Sequence, residues 1–290
     1  MDLFAQLFVN GIVIGATYAL IAIGLTLIFG MMKVVNFAHG EFYMLGAYIA
    51  LSAVSLLHLN LFLAIPFAIL GVGVIGLLFE RILLRPLRGA DLLSTAILTI
   101  GFSITLQNLV LQIWGPKPAQ VPDPFGGRIL AIGPIAVTEL RLFTLMLAVG
   151  VMALLGLVLK YSKVGRTMRA TFQARDAAAL QGIEVDRVFS LAFVIGVGLA
   201  AIAGALLSSV FVVSTDMGSM ANLKSFAIVI LGGLGNIPGA IFGGFLLGIV
   251  ESLSAGYIST GYKDGVSFLI LIIVLLIRPH GLFGQEEAEA

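Results

Sequence analysis

Residues 5–30 read AQLFVNGIVIGATYALIAIGLTLIFG and contain no acidic or basic residue. A helix needs about 20 apolar residues to cross the hydrocarbon core of a bilayer, which is about 30 Å thick. The stretch therefore predicts a membrane-spanning helix. The preceding residues, Met-Asp-Leu-Phe, include no basic side chain, so we expect this helix to remain in the mature protein and not to be removed as a signal peptide.

The composition of the whole chain also predicts a membrane protein. Charged residues make up 11% of the sequence and hydrophobic residues 60%, against about 25% and about 45–50% in soluble domains. Sixteen basic and fifteen acidic residues are too few to cover the surface of a soluble protein of this length, so the surface must face lipid. The net charge of +1 gives no reason to expect a nucleic acid partner. The absence of cysteine excludes disulfides and thiolate metal sites.

Hydrophobic segments recur along the chain and predict an all-α fold, a polytopic transmembrane helical bundle in which residues 1–290 form a single domain. The sequence lacks the alternating ten-residue segments that are typical of membrane β-barrels. Eight segments are expected, at 5–30, 40–58, 60–80, 92–114, 141–160, 188–213, 226–252 and 265–278.

The distribution of Lys and Arg predicts the orientation, because cytoplasmic loops of membrane proteins carry an excess of basic residues. The connection after the third segment and the connection 160–187 are both basic, whereas 115–140 is rich in Pro and Gly. We therefore expect the two basic connections in the cytoplasm and 115–140 outside. The basic residues are Arg81, Arg85 and Arg88 in the first connection and Lys160, Lys163, Arg166, Arg169, Arg175 and Arg187 in the second.

The seventh segment contains a break. Residues 232–244 read GGLGNIPGAIFGG, with six glycines and Pro238, and both residue types disfavour a continuous helix. A broken or re-entrant hairpin would place Arg278 and the acidic tail (Glu286, Glu287, Glu289) in the cytoplasm, whereas a single crossing would place them outside. Irregular backbone within a membrane is tolerated only inside protein or beside a water-filled path. We therefore expect the break to lie near the translocation route.

Small residues at intervals of four form stripes on several of the predicted helices, and such stripes let helices approach closely in lipid. Two readings are open: plain helix packing, or a seam that moves when substrate passes. The stripes are Gly11, Gly15 and Ala19; Gly196, Ala200 and Gly204; Gly239 and Gly243; and Gly244 and Gly248.

Motifs for nucleotide and metal chemistry are missing. The sequence has no Gly-x4-Gly-Lys-Ser/Thr phosphate loop, no Gly-x-Ser-x-Gly elbow and no His-Glu-x-x-His pair. The three histidines, His39, His58 and His280, are far apart in the sequence. We therefore expect no catalytic residue, no metal site and no bound cofactor in this chain.

Residues 35–42, VNFAHGEF, form the most distinctive polar stretch between the first two segments. Asn36 suits a helix N-cap, and Glu41 suits the positive end of the helix that follows. The alternative is that His39 and Glu41, which are ionisable and lie at a membrane boundary, gate or line a pathway. Both interpretations stay open from the sequence.

The basic connection 163–187 has an alanine-rich middle that favours helix, and Gly182 stands where such a helix would end. This connection is either a solvated loop that obeys the rule for basic residues or a short docking helix offered to a cytosolic partner.

The sequence resembles the LivH-type permease family, which imports branched-chain and other hydrophobic amino acids with ABC machinery. The resemblance covers essentially the whole chain and rests on three strings: TYALIAIG at 17–24 with NFAHGE at 36–41, DAA-x3-G at 176–182, and GGLGN at 232–236 with PGA at 238–240. The second string is similar to the EAA-x3-G coupling loop of ABC importer permeases. It departs from that pattern at Asp176, where the family usually has Glu, and the Ile-x-Leu-Pro that can follow is absent.

The resemblance implies a permease subunit of the bacterial inner membrane that works by ATP-driven alternating access. Its implied partners are a second permease of the LivM type, two cytosolic ATPases that bind ATP and Mg, and an external solute-binding protein. The implied ATPase-coupling residues are Arg166, Arg169, Arg175, Asp176, Ala177, Ala178 and Gly182. The implied residues of the translocation path are Asn36, His39, Glu41, Gly232, Gly233, Gly235, Asn236 and Pro238.

Two alternatives remain. The same architecture could import urea or short amides. A stand-alone secondary transporter or channel would need a charged pair or ion site within the membrane, for which Glu251 and Asp216 are the only weak candidates, both near the ends of predicted spans.

Overall fold

A computed structural model of the protein describes residues 2–132, 135–279 and 281–284. The predicted all-α bundle is confirmed. The described residues form the helices α1 Asp2–Met32, α2 His39–Ser55, α3 Leu61–Phe79, α4 Leu92–Trp114, α5 Glu139–Tyr161, α6 Lys163–Gln173, α7 Arg175–Leu180, α8 Val185–Leu207, α9 Met217–Gly232, α10 Ile237–Tyr257 and α11 Lys263–Ile277.

Within the described residues, six helices have the length and apolar composition to cross a membrane: α1, α3 with the turns that follow it, α4, α5, α8 and α10. Three apolar helices are shorter, with 17 residues in α2, 16 in α9 and 15 in α11. α3 continues through a π-helical turn, Glu80–Leu84, into a 3-10 turn, Arg85–Leu87. The chain is thus a multi-pass membrane protein.

One local expectation needs correction, and one local feature was not predicted. The expected break in the seventh segment is present, but its first helix, α9, begins at Met217, before the predicted start at 226. The connection 115–140 is not wholly irregular, because it carries an antiparallel hairpin of β1 Ile129–Ile132 and β2 Ile135–Thr138. Strands this short do not show enough alternation of apolar and polar residues to be detected in the sequence.

Side-chain caps define where several helices begin. Asn60, Asp91, Thr138, Ser162 and Asn236 each precede a helix, and each accepts a hydrogen bond from the backbone amide three residues later. Such caps satisfy amide groups that have no partner within the helix.

The stripes of small residues pack helices against each other. A Cβ added to Gly11 would lie 2.6 Å from the Cα of Ile249, and one added to Gly244 would lie 2.6 Å from the Cα of Ala19. α1 and α10 therefore cross at backbone contact distance, which larger side chains would prevent. α8 is buried throughout 196–207 and packs against α1, α2 and α3.

The bundle has two distinct ends. The hairpin end carries 115–138, where Ala119 pairs with Val213 and Gln6 hydrogen-bonds the backbone of Ala136. The basic end carries 80–91 and 162–184. The segment 281–284 also lies at the basic end, because the amide of Leu282 donates to the carbonyl of Leu231 at 2.8 Å. This arrangement agrees with the broken-hairpin prediction. His280 and the acidic tail, 286–289, lie outside the described residues.

Candidate translocation and coupling sites

The break between α9 and α10 forms from the residues that the sequence singled out. Gly233 and Gly235 have positive φ angles of 100° and 80°, which side chains with a Cβ rarely adopt. Asn236 then caps α10 by accepting from the amide of Gly239 at 2.9 Å, and Pro238 stands in the first turn, where a missing amide is tolerated. Gly232 contacts the backbone of Gly239, so the two helices meet directly after the turn.

The turn lies at the basic end and not in the middle of the bundle. A Cβ on Gly235 would lie 3.7 Å from the Cα of Gly30, at the end of α1, and 3.8 Å from the ring of Phe172 in α6. The side-chain Nδ2 of Asn236 donates to the carbonyl of Phe283 at 2.9 Å. The break therefore joins α1, α6 and the segment after α11, and its role in the translocation path stays a prediction.

The polar stretch before α2 is buried inside the bundle. His39 and Glu41 are fully buried by the surrounding helices, and their expected place at a membrane boundary stays a prediction. The chain after α1 turns back into the bundle at 33–38, where Thr99 accepts a hydrogen bond from the amide of Phe37 at 3.1 Å. The expected N-cap is wrong, because Ala38 occupies that position and Asn36 instead accepts from the amide of Ala38 at 3.1 Å.

Among the described residues, Glu41 is held by hydrogen bonds and has no oppositely charged partner. Its Oε1 accepts from Ser103 Oγ at 2.9 Å and from Gln107 Nε2 at 2.8 Å, both on α4. As expected, Glu41 lies in the first turn of α2, where the helix dipole favours a negative charge. The ring of His39 contacts α1, with Nε2 lying 3.0 Å from the carbonyl oxygen of Ile21.

Three buried polar atoms at this site lack a hydrogen-bond partner among the described residues: Asn36 Nδ2, His39 Nδ1 and Glu41 Oε2. Leaving a buried polar atom unpaired costs about 1–3 kcal/mol. A merely structural site would be expected to satisfy these groups. Their clustering favours the interpretation that the start of α2 is a polar position on the pathway, which stays a prediction.

α9 closes the same site with residues that the sequence did not mark. Asn222 Nδ2 donates to the carbonyl of Phe37 at 2.8 Å, and its Oδ1 accepts from the amide of Gly40 at 3.3 Å. Gln107 Nε2 also donates to Ser219 Oγ at 2.5 Å. In the sequence, an isolated side-chain amide on an apolar helix does not show which residue it contacts. A polar residue within a span is nevertheless a reason to look for a partner.

A second polar site pairs charges inside the helical bundle. Lys224 Nζ on α9 lies 2.8 Å from Glu251 Oε1 on α10 and 2.9 Å from Asp264 Oδ1 on α11. Tyr18 of α1 donates to Glu251 Oε2 at 2.8 Å, and Ser267 Oγ lies 3.5 Å from Glu251 Oε1. We call these five residues the lysine cluster. Glu251, which the sequence offered only as a weak candidate near a span end, is thus part of a buried ion pair.

At the basic end, α6 forms a tight corner with α5. Ser162 ends α5 and caps α6, accepting from the amide of Gly165 at 2.9 Å. Arg169 donates hydrogen bonds to the carbonyls of Leu159 and Lys160, so it satisfies the C-terminus of α5. Arg169 therefore has a structural role within the corner, whereas Arg166 is exposed.

α7 is the short helix expected in the alanine-rich part of the connection. The amide of Ile183 donates to Ala178 and that of Gly182 to Ala179, with φ of 79° at Gly182, which is the Schellman pattern of a helix end. Leu180 is 87% exposed. Of the predicted coupling residues in and after α7, Ala178 is buried, and Arg175, Asp176, Ala177 and Gly182 are exposed.

An ion network anchors this connection to the end of α3. Arg88 pairs with the fully buried Glu80 and, at 2.5 Å, with Asp186 at the start of α8. Arg85 also pairs with Asp186 at 2.6 Å, and Ser190 donates to Glu80 at 2.6 Å. Arg85 and Arg88, which the sequence marked only as basic loop residues, are therefore engaged in holding the basic end together.

Comparison with known proteins places these features in a family context. The family model described as the permease component of the branched-chain amino acid transport system matches residues 7–275. The high-affinity branched-chain amino acid transport system permease protein LivH of Escherichia coli K12 is 40% identical over 300 residues, which cover 99% of this chain and 97% of that protein. The BraD permease of Pseudomonas aeruginosa is 38% identical with the same coverage.

More distant similarity extends to an archaeon. A probable branched-chain amino acid transport permease of Methanocaldococcus jannaschii is 28% identical and covers 98% of this chain. The autoinducer 2 import system permease LsrC of Yersinia enterocolitica is 29% identical over 75% of this chain. No solved structure matches significantly.

Proposed function

This chain belongs to the family of branched-chain amino acid transport system permease components, and from that premise we propose that it translocates branched-chain or other hydrophobic amino acids as one subunit of an ATP-driven importer. The observation that carries the proposal is similarity over nearly the whole length of LivH and BraD, which leaves no part of those permeases unmatched beyond a few residues. The chain is accordingly a multi-pass protein of the inner membrane.

The proposed assembly contains a second permease of the LivM type, two cytosolic ATPases and an external solute-binding protein. ATP and Mg would be bound by the ATPases alone. Energy would enter as tighter binding of ATP to one of two conformations, so the permease itself needs a bistable arrangement and no catalytic residue.

The contacts and the exposed residues of α6 and α7 support a coupling role. The corner at Ser162 and the ion network at Asp186 attach the connection at its two ends, while α7 between them exposes Leu180. A docked ATPase that moves α7 would thus move α5 and α8 as well. Such a movement would act on a polar substrate at two positions, the buried polar site of Glu41 and the break at 233–236.

The secondary-transporter alternative gains one observation, the buried lysine cluster, because an ion-coupled carrier would need charged groups within the membrane. The import of urea or short amides gains none. Uptake of leucine and of urea by proteoliposomes separates all three readings. We expect leucine uptake that requires ATP, both ATPases and the binding protein, and no uptake driven by a proton or sodium gradient alone. Gradient-driven leucine uptake by the chain alone would refute the proposal.

The role of α7 is tested by paired substitutions at one position. Gly182→Val forces a β-branched residue into a left-handed conformation, which costs about 1–2 kcal/mol or more, whereas Asn tolerates this conformation and makes Gly182→Asn the matched control. No atom lies within 4 Å of a Cβ at Gly182, so the strain is confined to the end of α7. We expect Gly182→Val to reach normal membrane abundance and to lose ATPase co-purification and uptake. Asp176→Glu should be nearly silent. Normal transport by Gly182→Val would show that α7 is not the docking element.

A further inference from the structure

A groove of about 780 Å³ opens at the basic end, between the end of α3 and the α7–α8 connection. Arg85, Asp186 and Ser190 of the ion network form part of its walls, and no role has been assigned to its interior. Its walls come from three parts of the chain: the last turns of α3, the turn after α7, and the first turns of α8. The lining residues that matter for the argument are Leu77, Arg81, Ile183, Arg187, Leu191 and Val194.

The chemistry of the groove changes along its length. Leu77, Leu191 and Val194 line the part that lies within the spans of α3 and α8, and guanidinium groups line the part at the helix ends. Apolar side chains at membrane depth with arginines at the interface match the profile of a phospholipid, whose acyl chains are buried and whose phosphate stays at the surface.

The charge balance at the mouth leaves one positive charge. Arg85 pairs with Asp186 at 2.6 Å, and Arg187 pairs with Glu184 at 2.6 Å. Arg81 is exposed and makes no hydrogen bond or ion pair with any described residue. One negative charge, such as that of a phosphodiester, would neutralise the remaining positive charge.

The groove is also continuous with a surface that suits lipid. Val74, Leu78 and Ile82 follow each other at intervals of four residues and are 58%, 52% and 64% exposed. Residues four apart lie close to one face of a helix, so Val74 and Leu78 of α3 and Ile82 of the π-helical turn that follows form an apolar strip next to Leu77 and Arg81 of the groove wall. A lipid lying in the groove would stay in contact with the bilayer along this strip.

We infer that the groove binds an anionic phospholipid of the cytoplasmic leaflet, with Arg81 contacting the headgroup phosphate and the acyl chains lying along Leu77, Leu191 and Val194. The inference does not depend on the transported substrate, because it concerns the chain alone. Arg81 determines the preference for an anionic lipid, and the apolar wall distinguishes a lipid from free phosphate.

The test uses the purified chain in a neutral detergent and counts bound lipids by native mass spectrometry. Dioleoyl-phosphatidylglycerol is compared with dioleoyl-phosphatidylcholine and with inorganic phosphate. We expect retention of one phosphatidylglycerol, and Arg81→Gln should weaken that binding about fivefold or more, since one arginine near an anionic surface contributes about that factor. Arg278→Gln removes another exposed cation at the same end and is the matched control, expected to bind as the parent does.

Several outcomes would overturn the inference. Equal retention of phosphatidylglycerol and phosphatidylcholine would show that charge has no role, and equal loss in Arg81→Gln and Arg278→Gln would show general electrostatic attraction without a site. Binding of inorganic phosphate as strongly as the lipid would identify a free anion as the ligand. Displacement of the lipid by added ATPase subunits would show that the groove is a protein contact.

Discussion

The lysine cluster allows a quantitative prediction for Lys224→Met. In the folded chain Lys224 is 9% exposed and Glu251 3% exposed, and the ammonium lies within 2.9 Å of oxygens from Glu251 and Asp264. Methionine fills a similar volume, so the substitution removes the charge and leaves no large cavity. Glu251 is then a buried carboxylate supported only by Tyr18 and Ser267.

Removing one partner of a buried ion pair costs about 3–5 kcal/mol, because the other charge stays buried without compensation. We therefore expect Lys224→Met to lower the free energy of unfolding by about that amount. Adding Glu251→Gln in the same chain removes the stranded charge and should recover about half of the loss. The effects of neighbouring groups that share one interaction are not additive, and this coupling is the signature of the cluster.

The assay is equilibrium unfolding in mixed detergent micelles, followed by the fluorescence of Trp114, the single tryptophan of the chain. The ring centroids of Trp114 and Tyr48 lie 5.2 Å apart, and the indole N–H of Trp114 donates to Ser52, so the emission of Trp114 reports on packing. Lys163→Met, at an exposed lysine of α6, is the control and should change stability little. A loss below about 1 kcal/mol in Lys224→Met, or purely additive losses in the double variant, would refute the reasoning.

Three further predictions follow from other parts of the molecule. In intact cells, a cysteine that replaces Ala119 should be labelled by an impermeant reagent, and one that replaces Ser162 should not. Labelling from outside of a cysteine that replaces Ala288 would contradict a cytoplasmic C-terminus. Gly244→Leu should reduce folded yield, measured by monodisperse elution in detergent, because its Cβ would lie 2.6 Å from the backbone of α1; Gly156→Leu has nothing within 4 Å and should elute as the parent does. The purified chain alone should show no ATP hydrolysis in a phosphate-release assay, and turnover without the ATPases would contradict the assignment as a permease.

Much of the fold could be predicted because lipid imposes strict requirements on the chain. A bilayer demands long apolar helices, so segments such as 92–114 were located at their observed bounds. The break at Gly233–Asn236 was predictable because Pro and Gly act locally on the backbone. The end of α7 at Gly182 was predictable for the same reason. The late start assigned to α9 was wrong because Asn222, Lys224 and Ser225 interrupt the hydrophobic run, although each is buried in the structure.

The candidate sites were predictable only in part. His39 and Glu41 were singled out because ionisable residues are rare near membrane spans, but their depth in the bundle depends on 33–38 turning inward, which no local pattern indicates. Their roles, and those of the residues at 232–238, stay predictions. Ser103, Gln107 and Asn222 were missed because a neutral polar side chain on an apolar helix does not reveal which other helix it faces.

The sequence by itself determined the membrane location, the number and type of the main helices, the distribution of basic residues between the two ends, and the local turns. These properties depend on composition over about 20 residues or on the backbone preferences of single residues. The tertiary structure decided which helices meet. Lys224 contacts Glu251 and Asp264, and Glu80 contacts Arg88 and Ser190. No helical or strand periodicity in the sequence predicts these contacts. Helices that are apolar on every side have no preferred face, so their partners are chosen by glycine contacts and by buried charges that must be paired.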